Sequence, residues 1–415
     1  MKNPLVRMVL PCALVFASFA VCGCADTSTN RGPEASPATS LGSNPSMPEP
    51  EDKKLIPTVR IAEATGWPAG RTPMAANGLA VNALASGLDH PRWLYVLPNG
   101  DVLVAETNGP KRPKDEEGVK AKVMKSMRSK AGAGTPSANR ITLLRDGDGD
   151  GVAETRSVLV ENLYSPFGMA LVGNELFVAN ADGIVKFPYQ TGATRITAGP
   201  VKITDLPGGE RNHHWTKNII ASRDGSKLYA TVGSNSNVAE HGMAEEDGRA
   251  AIWEVDVKTG TKKLFATGLR NPNGMAWEPS SGTLWTVANE RDELGNDLVP
   301  DYLTSVKQDA FYGWPYSYFG KHVDTRRTTA PRPGGARRVA GLCTGRARGR
   351  ARPHVLAQFA VSAAEESCRG NVHRRTRLVE SRSTVWLQGG VRAVRQRAAV
   401  GRTAGCVDRV RERGG

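Results

Sequence analysis

The sequence predicts an all-β fold, a β-propeller, and three observations point to it. First, one strand–turn–strand pattern recurs four times, its copies starting roughly 50 to 75 residues apart, the spacing of propeller blades with insertions. Second, 45 Gly and 26 Pro punctuate a chain of 415 residues, which suits many tight turns. Third, further strand candidates lie between the copies, so that each copy belongs to a four-stranded unit. Separately, no cysteine lies between Cys24 and Cys343, so neither a disulfide framework nor a cysteine metal site holds that region together. A set of unrelated hairpins in a sandwich is the competing arrangement.

Taken in order, the chain opens with an export signal over 1–24. Lys2 and Arg7 precede an apolar run, Met8 to Ala20, too short to cross a bilayer. The ending Val21-Cys22-Gly23-Cys24 resembles a bacterial lipobox, which implies a lipidated Cys24 and a membrane anchor of several acyl chains. An ordinary cleaved signal is the alternative. Residues 25–56 are rich in Ser, Thr, Pro and Glu and read as a flexible linker, unable to bury a core.

The body, 57–332, carries the repeats. The copies are Asp89–Ala105, Ser165–Ala179, Ile219–Val232 and Asn271–Val287. Each is a short apolar strand, a turn of Asn, Asp, Gly or Ser, then a strand with β-branched or aromatic residues. Further strands are expected at Ile141–Leu144, Ile184–Phe187 and Ala251–Val255. Between the first two copies, Asp115–Lys130 shows Val119, Val123, Met124 and Met127 at helical spacing and reads as a short surface helix. Asp146-Gly147-Asp148-Gly149-Asp150-Gly151 resembles the start of a calcium loop, but its twelfth position is Ser157 rather than a bidentate Glu. The preferred reading is a plain hairpin turn between Ile141–Leu144 and Arg156–Val160, with weak Ca²⁺ binding the alternative.

One stretch of the body carries chemistry. Asn212-His213-His214-Trp215-Thr216-Lys217-Asn218 holds the only adjacent His pair and precedes a rigid strand pattern. An imidazole delivered there suits a general base, because its pKa lies near working pH. Two packed, hydrogen-bonded histidines are the other reading.

These residues, with Gly268-Leu269-Arg270-Asn271-Pro272, Asn289-Glu290-Arg291-Asp292-Glu293-Leu294-Gly295 and Tyr312-Gly313-Trp314-Pro315, resemble the PQQ-dependent sugar dehydrogenases. These are six-bladed propellers that include soluble glucose dehydrogenase, and the sorbosone dehydrogenase branch is the most similar. The resemblance covers about Leu84 to Asp324. It implies PQQ and Ca²⁺ as cofactors, a sugar substrate and an electron acceptor of the respiratory chain. It places the proton-accepting base on His214, with His213 the second choice. It puts PQQ contacts on Arg270 and Asn271, a substrate contact on Asn235, and calcium ligands among Glu290, Asp292 and Asp297. On the residues alone Arg270 is equally an ion-pair partner, and the carboxylates equally cap turns or pair with Arg291.

The segment 333–415 departs from all of this. From Pro331 onward there are 19 Arg, no Lys and 5 acidic residues, a balance of +14. Residues 1–330 hold 18 Lys and 18 Arg against 36 acidic residues, a balance of zero. The body is neutral, so nothing in it argues for nucleic acid. The tail reads as disordered, and its bias is that of a GC-rich gene translated out of frame. A frameshift near Arg332 would leave about four blades of six, hence an impaired enzyme; a genuine basic tail is the rival. The expectation for the whole is an exported, lipid-anchored periplasmic or cell-envelope quinoprotein acting on a sugar. The alternatives are a metal-dependent propeller lactonase or hydrolase, and a non-enzymatic surface-binding propeller.

Overall fold

The computed structural model describes residues 45–51, 70–75, 79–111, 135–295, 298–319 and 322–324, the strands at 342–345, 382–387 and 390–396, and Pro68 and Ser126 singly. The segment read above as a signal, with Cys24, most of the segment read as a linker, Asp115–Lys130 apart from Ser126, and Asp297 lie outside the described residues.

Strand β1 (Leu79–Ala85) precedes four antiparallel meanders, each a blade. The first is β2 (Pro91–Val96), β3 (Val102–Glu106), β4 (Arg140–Arg145) and β5 (Thr155–Val160). The second is β6 (Met169–Val172), β7 (Glu175–Asn180), β8 (Gly183–Pro188) and β9 (Val201–Asp205). The third is β10 (Ile219–Ala221), β11 (Lys227–Val232), β12 (Ala251–Asp256) and β13 (Lys262–Thr267). The fourth begins β14 (Asn271–Trp277), β15 (Leu284–Asn289) and β16 (Asp301–Val306). Short strands follow: β17 (Ala310–Phe311), parallel to β13, and the pair β18 (Ser317–Tyr318) and β19 (His322–Val323). In each blade the strands pair in chain order, as hairpin connections require.

All four recurring copies are the first hairpins of these blades, and the three further strands expected fall within β4, β8 and β12. The Asp-rich run is the turn between β4 and β5. Gly100 and Gly225 sit in two of the hairpin turns with φ of +92° and +69°, a region that glycine enters without a Cβ penalty. In the Arg-rich segment, read above as disordered, the described residues are β20 (Leu342–Gly345), β21 (Arg382–Leu387) and β22 (Gly390–Gln396). Thr384, Val385 and Trp386 are strand formers. β20 adds to β16, and β22 lies between β21 and β1.

The blades stack face to face, with β6 against both β2 and β10, and β10 against β14. These four strands are therefore the innermost. Period-two alternation then sends side chains into two different interfaces. In β7, Leu176 and Val178 meet Leu103, Ile141 and Leu143 of the first blade. Phe177 and Ala179, which alternate with them in sequence, meet Ile219, Leu228 and Ala230 of the third. Tyr229 and Ile252 meet Met275, Leu284 and Tyr302 of the fourth. Each large side chain buried this way contributes about 1.5–3 kcal/mol.

Polar contacts stitch the inner strands at one level. The Gly168 N–H donates to the Lys217 carbonyl at 3.0 Å, and the Asn218 side-chain amide donates to the Asn273 carbonyl at 2.9 Å. Gly168 permits this approach, since a Cβ there would fall 2.4 Å from the Ile219 nitrogen. The loop bearing the His pair is thereby fixed between the second and fourth blades.

Candidate active site

His214 sits in the loop that joins β9 to β10. Its Nδ1 lies 2.8 Å from the Ser234 carbonyl and 3.0 Å from Ser234 Oγ. A carbonyl only accepts, so Nδ1 carries the proton. Ser234 Oγ spends its own hydrogen on the Ser236 carbonyl at 2.6 Å and therefore accepts as well. With both acceptors on Nδ1, the lone pair is on Nε2. Burial first, then the Arg270 charge and the neighbouring His213, hold the His214 imidazole well below its usual range, against the Ser234 carbonyl, which raises it. The ring is a neutral base with a fixed tautomer.

His213 packs edge-on against His214, centroids 4.6 Å apart at 89°. Its backbone N–H donates to Asn235 Oδ1 at 3.2 Å. Asn235 is held in turn: its N–H donates to Glu246 at 2.7 Å and its amide to Glu245 at 3.3 Å. Asn235 thus ties the His loop to the 243–246 turn. Burial pushes the Glu246 carboxyl up, countered by the hydrogen bonds from Ser236 and Asn235.

Asn271 opens β14. Its Oδ1 is buried and accepts no hydrogen bond. Gly233 makes room for it: a Cβ there would fall 2.5 Å from Asn271 Oδ1 and 2.5 Å from His214 Cβ. Gly233 thus brings the base and an unfilled acceptor together, the geometry a donor-bearing ligand would complete.

Arg270 is buried beside them, but the contacts of its guanidinium are directed elsewhere. It donates to the Asn237 carbonyl at 3.1 Å, Asn237 Oδ1 at 2.8 Å and the Glu290 carbonyl at 2.7 Å, with Asp292 at 3.5 Å. Arg270 therefore acts on His214 through its field, while its donors brace the Glu290 loop.

Glu290 is buried, and its carboxyl is pushed up to about 7 by burial, against the Arg270 charge. Asp292 is exposed and accepts from Arg270; Asp297 lies outside the described residues. Arg291 forms its ion pair with Asp324. Among the described residues the one group of three or more converging metal-type ligands is Asp146, Asp148, Asp150 and Glu154, in the β4–β5 turn. There the carboxylates accept turn N–H groups, as from Gly149 and Gly151 to Asp146 at 2.6 and 2.9 Å.

Sequence reasoning singled out His214, Asn271 and Arg270, and the structure brings them together. Ser234, Gly233 and Glu246 were not legible as partners, because they lie 19 to 32 residues further along the chain and only the hairpin of the third blade returns them. The Gly-Ser step closing β11 was the one local signal.

Residues 135–310 match the model of the TrAA12-like family. A protein of Borreliella burgdorferi described as uncharacterized is 25% identical over 175 residues, 40% of this chain and 44% of that one. A pyrroloquinoline quinone-dependent sugar dehydrogenase of Hypocrea jecorina is 22% identical over 244 residues, 55% of this chain and 49% of that one. The chain thus spans about half the length of these two relatives. Among solved structures, a calcium structure of the Trichoderma reesei carbohydrate-active enzyme family AA12 shares 17% identity, covering 62% of each chain with a TM-score of 0.47. None of these matches singles out the sorbosone branch. What these matches show is a likeness: residues 135–310 of the 415 are similar to the TrAA12-like family.

Proposed function

We propose that this protein is an exported quinoprotein that oxidises a sugar, or a sugar-derived aldehyde or alcohol, with PQQ as electron acceptor and Ca²⁺ beside it. The observation that carries the reading is a His214 whose Nδ1 is committed to Ser234, leaving Nε2 as the base, packed across Gly233 from Asn271, whose buried Oδ1 has no hydrogen-bond partner. PQQ, when bound, supplies the two-electron acceptor for hydride leaving the sugar carbon. His214 Nε2 takes the hydroxyl proton of that carbon, and Ser234 stabilises the imidazolium through Nδ1–H. Asn271 Oδ1 accepts a hydrogen bond from ligand, and Arg270 offers fixed positive charge where negative charge develops. Glu290 and Asp292 are the described residues that would hold calcium by their oxygens. A sugar substrate, a respiratory electron acceptor and a lipid anchor at Cys24 complete the proposal.

The test is a titration of the purified 415-residue chain with PQQ and Ca²⁺, read by quinone absorbance, followed by addition of aldoses. A saturable spectral shift that bleaches with sugar is expected. A folded protein that leaves the quinone spectrum unchanged at millimolar concentration would sink the reading.

A further inference from the structure

The 243–249 segment of the third blade grips the loop that carries the base. Arg249 donates to Asn212 Oδ1 at 3.1 Å and to the Gly208 and Arg211 carbonyls, all just ahead of the His pair. Glu246 reaches the partner of the base instead. One of its oxygens accepts from the Asn235 N–H at 2.7 Å, and the other accepts from the Ser236 hydroxyl. Glu246, Ser234, Asn235 and Ser236 are all buried. Burying a carboxylate costs stability that hydrogen bonds offset only in part, and an apolar side chain of similar volume is often at least as stabilising. The effect of Glu246 lies in what it orients.

Ser236 Oγ uses its hydrogen on Glu246 and accepts the Ala239 N–H at 2.8 Å, which fixes Ser236 by its side chain. The Ser236 carbonyl takes the Ser234 hydroxyl hydrogen at 2.6 Å, and the Arg270 carbonyl takes the Ser234 N–H at 2.7 Å. Ser234 is thus held at two points, with its carbonyl and its Oγ both left to accept from His214 Nδ1. Asn235, held by the same carboxylate, accepts the His213 N–H at 3.2 Å. A 234–236 turn released by that carboxylate lets the Ser234 hydroxyl rotate and donate to Nδ1. The imidazole proton then moves to Nε2 and blocks the base.

We propose that Glu246 is the positioning residue of the base: through Ser236 and Asn235 it holds Ser234 in the orientation that keeps the His214 proton on Nδ1. What the base does rests on the quinoprotein reading; how it is held does not. Two readouts on the full 415-residue chain separate these. The first is long-range ¹H–¹⁵N NMR of histidine-labelled protein without ligands, which distinguishes protonated from bare ring nitrogens. His214→Ala assigns the signal among the seven histidines. The second is stopped-flow bleaching of bound PQQ by glucose with Ca²⁺ present, beside PQQ affinity by absorbance titration. Glu246→Gln, Glu246→Asp and Ser236→Ala are compared with wild type. Glu254→Gln, which removes a buried carboxylate bonded to Lys227 and Tyr229 in the same blade, is the control.

Wild type is expected to show a single Nδ1–H tautomer for His214. Gln offers one acceptor oxygen where Glu offers two, so Glu246→Gln leaves either the Asn235 N–H or the Ser236 hydroxyl without an acceptor. It should populate the Nε2–H tautomer and slow quinone reduction about 10- to 100-fold, with PQQ affinity within about twofold. Glu246→Asp, which keeps both acceptors on a shorter arm, should fall between, and Glu254→Gln should match wild type in both readouts. The proposal is overturned if wild type carries the proton on Nε2. It is equally overturned if Glu246→Gln, shown folded by circular dichroism, keeps the wild-type tautomer, whatever its rate. If Glu246→Gln fails to fold, Ser236→Ala decides by the same criterion. Wild type with the Nδ1–H tautomer that leaves PQQ unbound would remove the quinoprotein reading and leave this one standing.

Discussion

His214 shows how a single hydrogen bond decides what a residue can do. The Ser234 carbonyl fixes the proton on Nδ1, so the other nitrogen is a base whatever the ligand. Replacing His214 by Ala should lower kcat about 10²–10⁴-fold while PQQ affinity changes little, as stopped-flow reduction of the bound quinone would show. The acid limb of kcat/KM should lie well below pH 6.5, because burial and the Arg270 charge keep the imidazole neutral. Stability follows the same sign. The unfolded chain takes up a proton near pH 6.5 and the folded one does not, so His214 makes the fold less stable as pH falls through that value. Gly233→Ala should remove both activity and PQQ binding at a cost of about 1–3 kcal/mol in denaturant midpoint analysis, since its Cβ has nowhere to go. The base was legible in sequence from its place ahead of a strand. Its tautomer was not, because the acceptor that sets it lies 20 residues on.

At the scale of strands and blades, the inner hairpins were legible because period-two apolar runs flank turn residues that few other structures tolerate. Strands β9 and β13 were not, since Lys202, Lys262 and Lys263 break the apolar pattern where the blade meets solvent. Strand β16 was missed for the opposite reason: Asp301, Thr304 and Ser305 look like loop residues, yet the strand is largely buried and Asp301 accepts the Glu290 N–H at 3.0 Å. Phe177, fully buried between the second and third blades, should cost about 3–5 kcal/mol on truncation to Ala, measured by urea unfolding. Lys217 sits in the same layer, fully buried, with the Trp215 carbonyl at 3.4 Å. Burial first and then the Arg249 charge hold its amine well below the usual lysine range, so the folded chain gives up this proton at lower pH than the unfolded chain, which holds it up to about pH 10.5. The chain should therefore gain stability as pH rises toward that value. Lys217→Met should flatten that rise and raise Tm by about 2–4 °C at neutral pH, read by calorimetry at several pH values.

For the whole molecule, the neutral body and the lysine-free tail call for separate explanations. A frameshift near Arg332 predicts that another reading frame past that codon encodes blade-like strands with further Lys and Arg; neither frame doing so would reject it. The frameshift also predicts a ring left open at its strand edges, hence slow steady-state dye reduction by the 415-residue product even where bound quinone is bleached once; vigorous turnover with an aldose would count against it. The alternation along β7 reaches further still. With Leu176 and Val178 given to one neighbour and Phe177 and Ala179 to the other, no blade keeps a core of its own. A blade is then no more a folding unit than one stave is a cask. Loss of the last blade strips half the packing of the one before it, so unfolding should travel inward from a flank. Amide hydrogen exchange would record this as a gradient, with the β7 and β11 protons, clasped on both faces, the last to leave.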